Sequence, residues 1–305
     1  MGANPTQRPD RDPIATVVAS SWQAGSVRIS STDGVTLVLH HLGGEGPPLL
    51  VVHATGFCAA PYRHLVPVLG QRFELWGLDV RSHGDSTDSE DGEVSWKGTA
   101  RDVLAAIDAI DAGPVVGLGH SMGGASLLTA ELHRPGTLSA IWAFEPIVFP
   151  TEWMTNPGHN PMAEAARRRR PGFASRSEAL HRYASRPPLG RFRADVLHDY
   201  VDRGFRELED GTVTLACRPE QEAKAFDAND KTSIEELVAV GIPVRVARGG
   251  RMPEAGPAVI AGPISEALPG GELVTFDHLS HFGPFEDPDS VAEDALAFFD
   301  RVAPP

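Results

Sequence analysis

Disulfide chemistry is the first thing this chain lacks. Its 305 residues hold two cysteines, Cys58 and Cys217, too few for a disulfide framework, and a chain of this length buries enough apolar surface to fold without one. A reducing, cytoplasmic setting fits that usage. Long apolar runs are also missing. No stretch reaches membrane-spanning length, and Met1 to Ala15 is polar, without the apolar centre of a secretion signal. Membrane insertion and export are therefore not expected. Basic residues are in deficit, with Lys plus Arg at 27 against Asp plus Glu at 41 and a net charge of −14. A phosphate backbone would be repelled, so nucleic acid is not an expected partner. The one basic run, Arg167 to Arg170, follows an alanine-rich stretch and reads as the solvated end of a helix. No H-E-x-x-H motif or cysteine–histidine cluster occurs, so neither a metal nor a cofactor is expected. Internal repeats and low-complexity tracts are absent, and nothing marks an oligomeric state.

What is present is a rhythm. Two short alternating runs, 26–29 and 35–40, flank Asp33-Gly34 and predict a hairpin. From Pro48 onward, apolar runs at 49–52, 73–78, 115–118 and 138–144 alternate with amphipathic stretches. Continuous apolar runs between helices predict a mostly parallel sheet, eight strands in all, with helices on both faces. The rhythm lapses from Thr151 to about Asp230, where Pro and Gly interrupt helical pieces, and resumes with runs at 243–247 and 272–276. The expected organisation is an α/β core from 1–150 and 231–305, with a helical cap or lid at 151–230. In an open α/β sheet, ligands bind beyond the carboxyl ends of the strands, so this insertion is expected to cover such a site.

Gly119-His120-Ser121-Met122-Gly123 follows one of the apolar runs directly and precedes a helical stretch of small residues. A serine held between glycines at a sharp strand-to-helix turn is a nucleophile elbow, because side chains at the flanking positions would strike neighbouring backbone. Such a serine needs a base to take its proton. Two histidines, His278 and His281, lie just after the last apolar run and hence at the same sheet edge as Ser121.

Four motifs in order carry a resemblance. They are the elbow, the H-x-x-x-x-E-D-P tail from His281 to Pro288, the loop His53-Ala54-Thr55-Gly56-Phe57 after the third strand, and the stretch from Asp79 to Ser86 after the fourth. Together they resemble the α/β-hydrolase superfamily over the whole chain except the insertion. The resemblance implies that fold, a serine nucleophile and His281 rather than His278 as the base. It also implies an oxyanion hole made by the amides of Met122 and a residue of the 53–57 loop. Aligning His53 with the family's H-G loop makes that residue Thr55, the first choice because the distance to the following helix is then right; aligning Gly56-Phe57 makes it Phe57.

The acid departs from the commonest pattern. Arg248 to Pro253 carries no carboxylate where most relatives have the aspartate of a G-x-x-D turn, and Glu254 comes two residues late. Glu145 ends the sixth strand, beside the elbow strand, at a place similar to the carboxylate of some haloalkane dehalogenases. An unpaired glutamate ending a buried strand would be costly, which itself asks for a partner such as an imidazole. Glu145 is the first choice, with Glu254 and Asp277 as alternatives.

The expected activity is that of a serine esterase, cleaving an ester-type bond of a small, apolar molecule through an acyl-enzyme on Ser121. Phe57, His120, Phe149 and Trp153 are expected at the substrate pocket. Serine-bearing relatives that cleave carbon–carbon bonds, lactones or thioesters, cofactor-free haloperoxidases and a non-catalytic ligand-binding member stay open as alternatives. Epoxide hydrolases and haloalkane dehalogenases, which use aspartate at the elbow, do not.

Overall fold

Why the apolar runs become strands is visible in where their side chains go. In the computed structural model, which describes residues 17–18, 25–154, 160–252 and 256–303, Leu49, Leu50, Val51 and Val52 are all fully buried. Side chains alternate between the two faces of a strand. Leu49 and Val51 accordingly enter one hydrophobic cluster, with Leu118, Trp142, Phe144 and Phe298, while Leu50 and Val52 enter a second, with Val103, Leu127, Ile141 and Val246. Both faces are thus covered, and each such side chain contributes about 2 kcal/mol.

The strands are β1 (Val17–Val18), β2 (Ser26–Ser30), β3 (Thr36–Gly43), β4 (Pro48–Val52), β5 (Glu74–Asp79), β6 (Val115–His120), β7 (Leu138–Phe144), β8 (Gly172–Phe173), β9 (Phe205–Glu207), β10 (Val213–Leu215), β11 (Val244–Gly249) and β12 (Gly271–Phe276). Nine of them form one sheet in the order β1-β2-β3-β5-β4-β6-β7-β11-β12. The six from β5 to β12 in that order run parallel, and β1, β2 and β3 pair antiparallel. The eight predicted strands are present; the ninth is the two-residue β1 at the edge. Because the sheet is parallel, the carboxyl ends of β4, β5, β6, β7, β11 and β12 share one edge, which places Ser121, Glu145 and the loop holding His281 together.

The segment between β7 and β11 contains the helices Pro161–Arg167, Arg176–Ala184, Ala194–Arg203 and Pro219–Asp227. It also contains a small antiparallel sheet, β8-β10-β9, that the sequence reading did not anticipate. Strands of two or three residues are too short to show a period-two pattern. The basic run there is not a uniformly solvated helix end. Arg167, Arg168 and Arg170 are exposed, but Arg169 turns inward to pair with Glu222 and donates to Tyr200 Oη at 2.9 Å. Among the described residues no helix is long and apolar enough to cross a membrane.

Candidate active site

The elbow forms because its neighbours lack side chains. A Cβ on Gly123 would come within 2.0 Å of the Val52 carbonyl oxygen, and one on Gly119 within 2.5 Å of Gly124 Cα. Ser121 itself has φ 55° and ψ −116°, a conformation that costs on the order of 1–3 kcal/mol and persists only where the surroundings enforce it. Here they do: its amide donates to Phe144 O at 2.9 Å and its carbonyl accepts from Ile147 N at 3.3 Å. Ser121 is 7% exposed.

Glu145 follows β7 directly, also with positive φ, 42°. Its amide donates to Ala247 O of β11 at 2.8 Å, which turns the side chain along the sheet edge. Oε1 accepts from Gly249 N at 2.8 Å, and Oε2 accepts from His281 Nδ1 at 2.6 Å. The carboxylate is almost completely buried and both its oxygens are bonded. His281 rides on a loop braced by Glu286, whose two oxygens accept from Ser280 N and Ser280 Oγ at 2.9 and 2.8 Å. Among the described residues no hydrogen bond joins His281 Nε2 to Ser121.

The alternatives lie elsewhere. His278 is exposed and faces Asp287 at 3.0 Å. Asp277 is exposed as well. Glu254 lies outside the described residues.

In the loop after β4 most amides are committed. Ala54 N donates to Tyr62 Oη at 3.1 Å, Gly56 N to His83 Nε2 at 3.0 Å, and Phe57 N to Ala54 O at 3.1 Å. The Thr55 amide donates to no atom among the described residues. Met122 opens the helix Met122–His133, so its amide has no acceptor within the helix. Burial holds His53 down to about 4, and burial also lowers His83, so both rings are neutral braces rather than charged groups. Gly56, at φ +81°, leaves room for the inward pair from the insertion: a Cβ there would meet Glu222 Oε1 at 2.6 Å and Arg169 Nη1 at 3.1 Å.

The pocket residues divide. Phe57 belongs to an aromatic cluster, with ring centroids 4.8 Å from both Tyr200 and Phe285. His120 exposes no surface, and both its ring nitrogens are bonded, so it offers nothing to a ligand directly. Phe149 makes an isolated bridge to Ser233, and Trp153, with its ring centroid 6.1 Å from that of Phe149, is more than half exposed. A cavity of about 400 Å³ is lined by Glu145, His281 and Phe282 of the core and by Pro187, Pro188 and Arg191 of the insertion, among others. Tyr62 is a site-shaping residue that the sequence reading missed; a tyrosine in a short helical stretch carries no pattern of its own.

Among the described residues, one cluster has the donor types of a metal site: His40, Asp79 and Asp85, with potential ligand atoms all within 4.8 Å of one another. Its chemistry is otherwise occupied. Asp79 accepts from His40 Nε2, Ala59 N and Asp85 N at 2.8–2.9 Å. Burial opposes a charge on His40, but Asp79 overrides it and raises the imidazole's pKa.

Known proteins resemble this chain in sequence and in fold. In sequence, the curated relatives match over short stretches. The uncharacterised hydrolase YugF of Bacillus subtilis is 28% identical over 116 residues, 38% of this chain and 42% of that protein. Protein phosphatase methylesterase 1 of Rattus norvegicus is 33% identical over 95 residues, 30% of this chain and 25% of that protein. The chain thus spans less than half the length of these curated relatives. Solved structures align more fully. E-2-(acetamidomethylene)succinate hydrolase superposes with a TM-score of 0.74 at 21% identity, covering 90% of this chain and 98% of the other. A malate-bound thermophilic esterase from Thermogutta terrifontis gives 0.69 at 21% identity, covering 92% and 99%. These likenesses carry the fold. Residues 49–295 match the alpha/beta hydrolase family as a whole, and this chain is an enzyme of that family.

Proposed function

We propose that the chain is a serine hydrolase acting on an ester-type bond of a small molecule, with Ser121 as nucleophile, His281 as base and Glu145 as the acid that orients it. The observation that carries this reading is the hydrogen bond from His281 Nδ1 to the buried Glu145 carboxylate, beside a serine held in a strained elbow. With Nδ1–H committed to Glu145, the lone pair of a neutral ring sits on Nε2, the nitrogen that must accept the serine proton.

The steps follow from that arrangement. His281 Nε2 takes the proton as Ser121 Oγ attacks the carbonyl carbon, and the amides of Thr55 and Met122 hold the resulting oxyanion. Collapse breaks the bond to the leaving group, which receives the proton from His281. Water then enters, gives a proton to Nε2 and attacks the acyl carbon; collapse breaks the bond to Ser121 Oγ, which receives that proton back from His281 as the acid product leaves. Glu145 offsets the charge that His281 carries in each half-reaction. The Ser121–His281 hydrogen bond forms when substrate binds, since catalytic hydrogen bonds often become well aligned only in that complex. Residues 151–230 act as a lid: Tyr200 donates to Gly56 O at 3.2 Å, so the insertion rests on the loop that supplies one oxyanion donor.

A fluorophosphonate probe tests the reading, together with p-nitrophenyl esters of increasing chain length. Wild-type protein should be labelled and should turn over short esters, and Ser121→Ala should do neither. Folded wild-type protein that is neither labelled nor active on any ester would overturn the proposal.

A further inference from the structure

Between the three loops of the site runs one continuous line of buried hydrogen bonds. Ala54 N lies 3.1 Å from Tyr62 Oη, Tyr62 Oη lies 2.8 Å from His120 Nδ1, and His120 Nε2 lies 2.8 Å from the His281 carbonyl oxygen. The directions are determined by chemistry. A carbonyl only accepts, so His120 must carry its proton on Nε2; a neutral imidazole then accepts at Nδ1, and the Tyr62 hydroxyl must donate to it. That leaves the Tyr62 oxygen to accept from Ala54 N. Tyr62 and His120 are both completely buried, so no water competes for these bonds.

Each end of this line is one residue away from a reacting group or on its backbone. Ala54 precedes Thr55, His120 precedes Ser121, and the last acceptor is the backbone of His281 itself. We infer that Tyr62 and His120 are positioning residues that set the oxyanion donor, the nucleophile and the base at fixed distances from one another. This rests on the serine reading above. A neutral ring also suits the place: the His120 and His281 centroids are 5.1 Å apart, and a second positive charge there would oppose the protonation of His281 during the reaction. Burial and the neighbouring His281 keep His120 well below the usual histidine range, in agreement with the bonding.

The alternative is that these groups merely satisfy one another in a core. The two readings separate in kinetics measured per fluorophosphonate-titrated site. Tyr62→Phe keeps the ring and deletes the middle of the line; His120→Leu deletes its centre; His120→Gln keeps a donor and an acceptor. Misplacement of about 1 Å costs about 10²-fold. We expect kcat per titrated site to fall about 10-fold in Tyr62→Phe and about 10²-fold in His120→Leu, with KM within about twofold. His120→Gln should regain part of the loss. The double variant Tyr62→Phe/His120→Leu should be no slower than His120→Leu alone, because the two act as one unit. Unchanged kcat per titrated site in Tyr62→Phe, or losses that multiply in the double variant, would overturn the inference. Should His120→Leu fail to fold, Tyr62→Phe against His120→Gln decides it. Absence of labelling in wild type would instead defeat the serine reading itself.

Discussion

Glu145 and His281 meet at 2.6 Å although 136 residues separate them in the chain. The glutamate stands at the end of a rigid central strand, and the histidine comes to it on a loop. Its other oxygen is held by Gly249 N, so the carboxylate can neither rotate away nor seek solvent.

Substituting that acid tests its role. Glu145→Gln keeps the shape but offers an amide where His281 needs a charged acceptor, and kcat should fall about 10³–10⁴-fold with little change in KM. Glu145→Gly should recover part of the activity in high formate or acetate, because the cavity of about 400 Å³ reaches this carboxylate. Steady-state kinetics with and without the added anion read both effects. Wild-type kcat in Glu145→Gln would move attention to Glu254.

Gly123 is expected to admit no side chain. With the Val52 carbonyl oxygen 2.0 Å from where a Cβ would lie, Gly123→Ala must push the helix Met122–His133 off β4. A destabilisation above about 4 kcal/mol, read from urea melts or from loss of soluble protein, is the expected outcome. A variant melting with wild type would mean that the elbow relaxes freely.

The inward arginine gives a stability test that a surface pair would not. Arg169 and Glu222 are largely buried against each other, and removing one partner strands the other's charge. Arg169→Met alone should cost about 3 kcal/mol, whereas Arg169→Met combined with Glu222→Leu should regain much of it. Denaturant midpoints of the single and double variants decide; equal midpoints for wild type and Arg169→Met would show the pair to be solvated.

Acid should weaken the fold before it reaches the carboxylates. Burial holds His53 down to about 4 and keeps His83 and His120 below the ordinary value near 6.5. Below pH 6.5 the unfolded chain takes up protons that these folded rings refuse, so stability falls as pH falls; for His53 alone the loss approaches about 3 kcal/mol by pH 4. His40, raised by Asp79, works the other way. Urea midpoints should therefore decline between pH 7 and pH 5, and His53→Gln should flatten that decline. A flat profile would contradict the neutral-ring assignment.

How much of this could be read from the chain itself varies by residue. Leu49 to Val52 and Val115 to Leu118 announce buried strands because continuous burial leaves a continuous apolar run. Gly119, Ser121 and Gly123 announce a tight turn because backbone crowding permits no other pattern. By contrast, only the spacing to the following helix favours Thr55 over Phe57 on paper; the commitment of the Phe57 amide to Ala54 O is a tertiary fact that no motif carries. Arg169 looks like its three neighbours until the chain turns at the end of the helix Pro161–Arg167. β8, β9 and β10 are too short to leave a periodic trace. Tyr62 acts through tertiary contacts alone, which no local window contains.

The turn after β11 does its work with backbone. Gly249 N donates to Glu145, Gly250 N to Phe276 O at 2.8 Å, and Arg251 N to Leu279 O at 3.0 Å. Side chains matter there in two ways: Arg251 Nε donates to His278 O, and a Cβ on Gly249 would come within 2.5 Å of Leu279 O. A search keyed to an aspartate at this turn would pass the chain over, because what meets Glu145 there is a main-chain amide rather than a side chain.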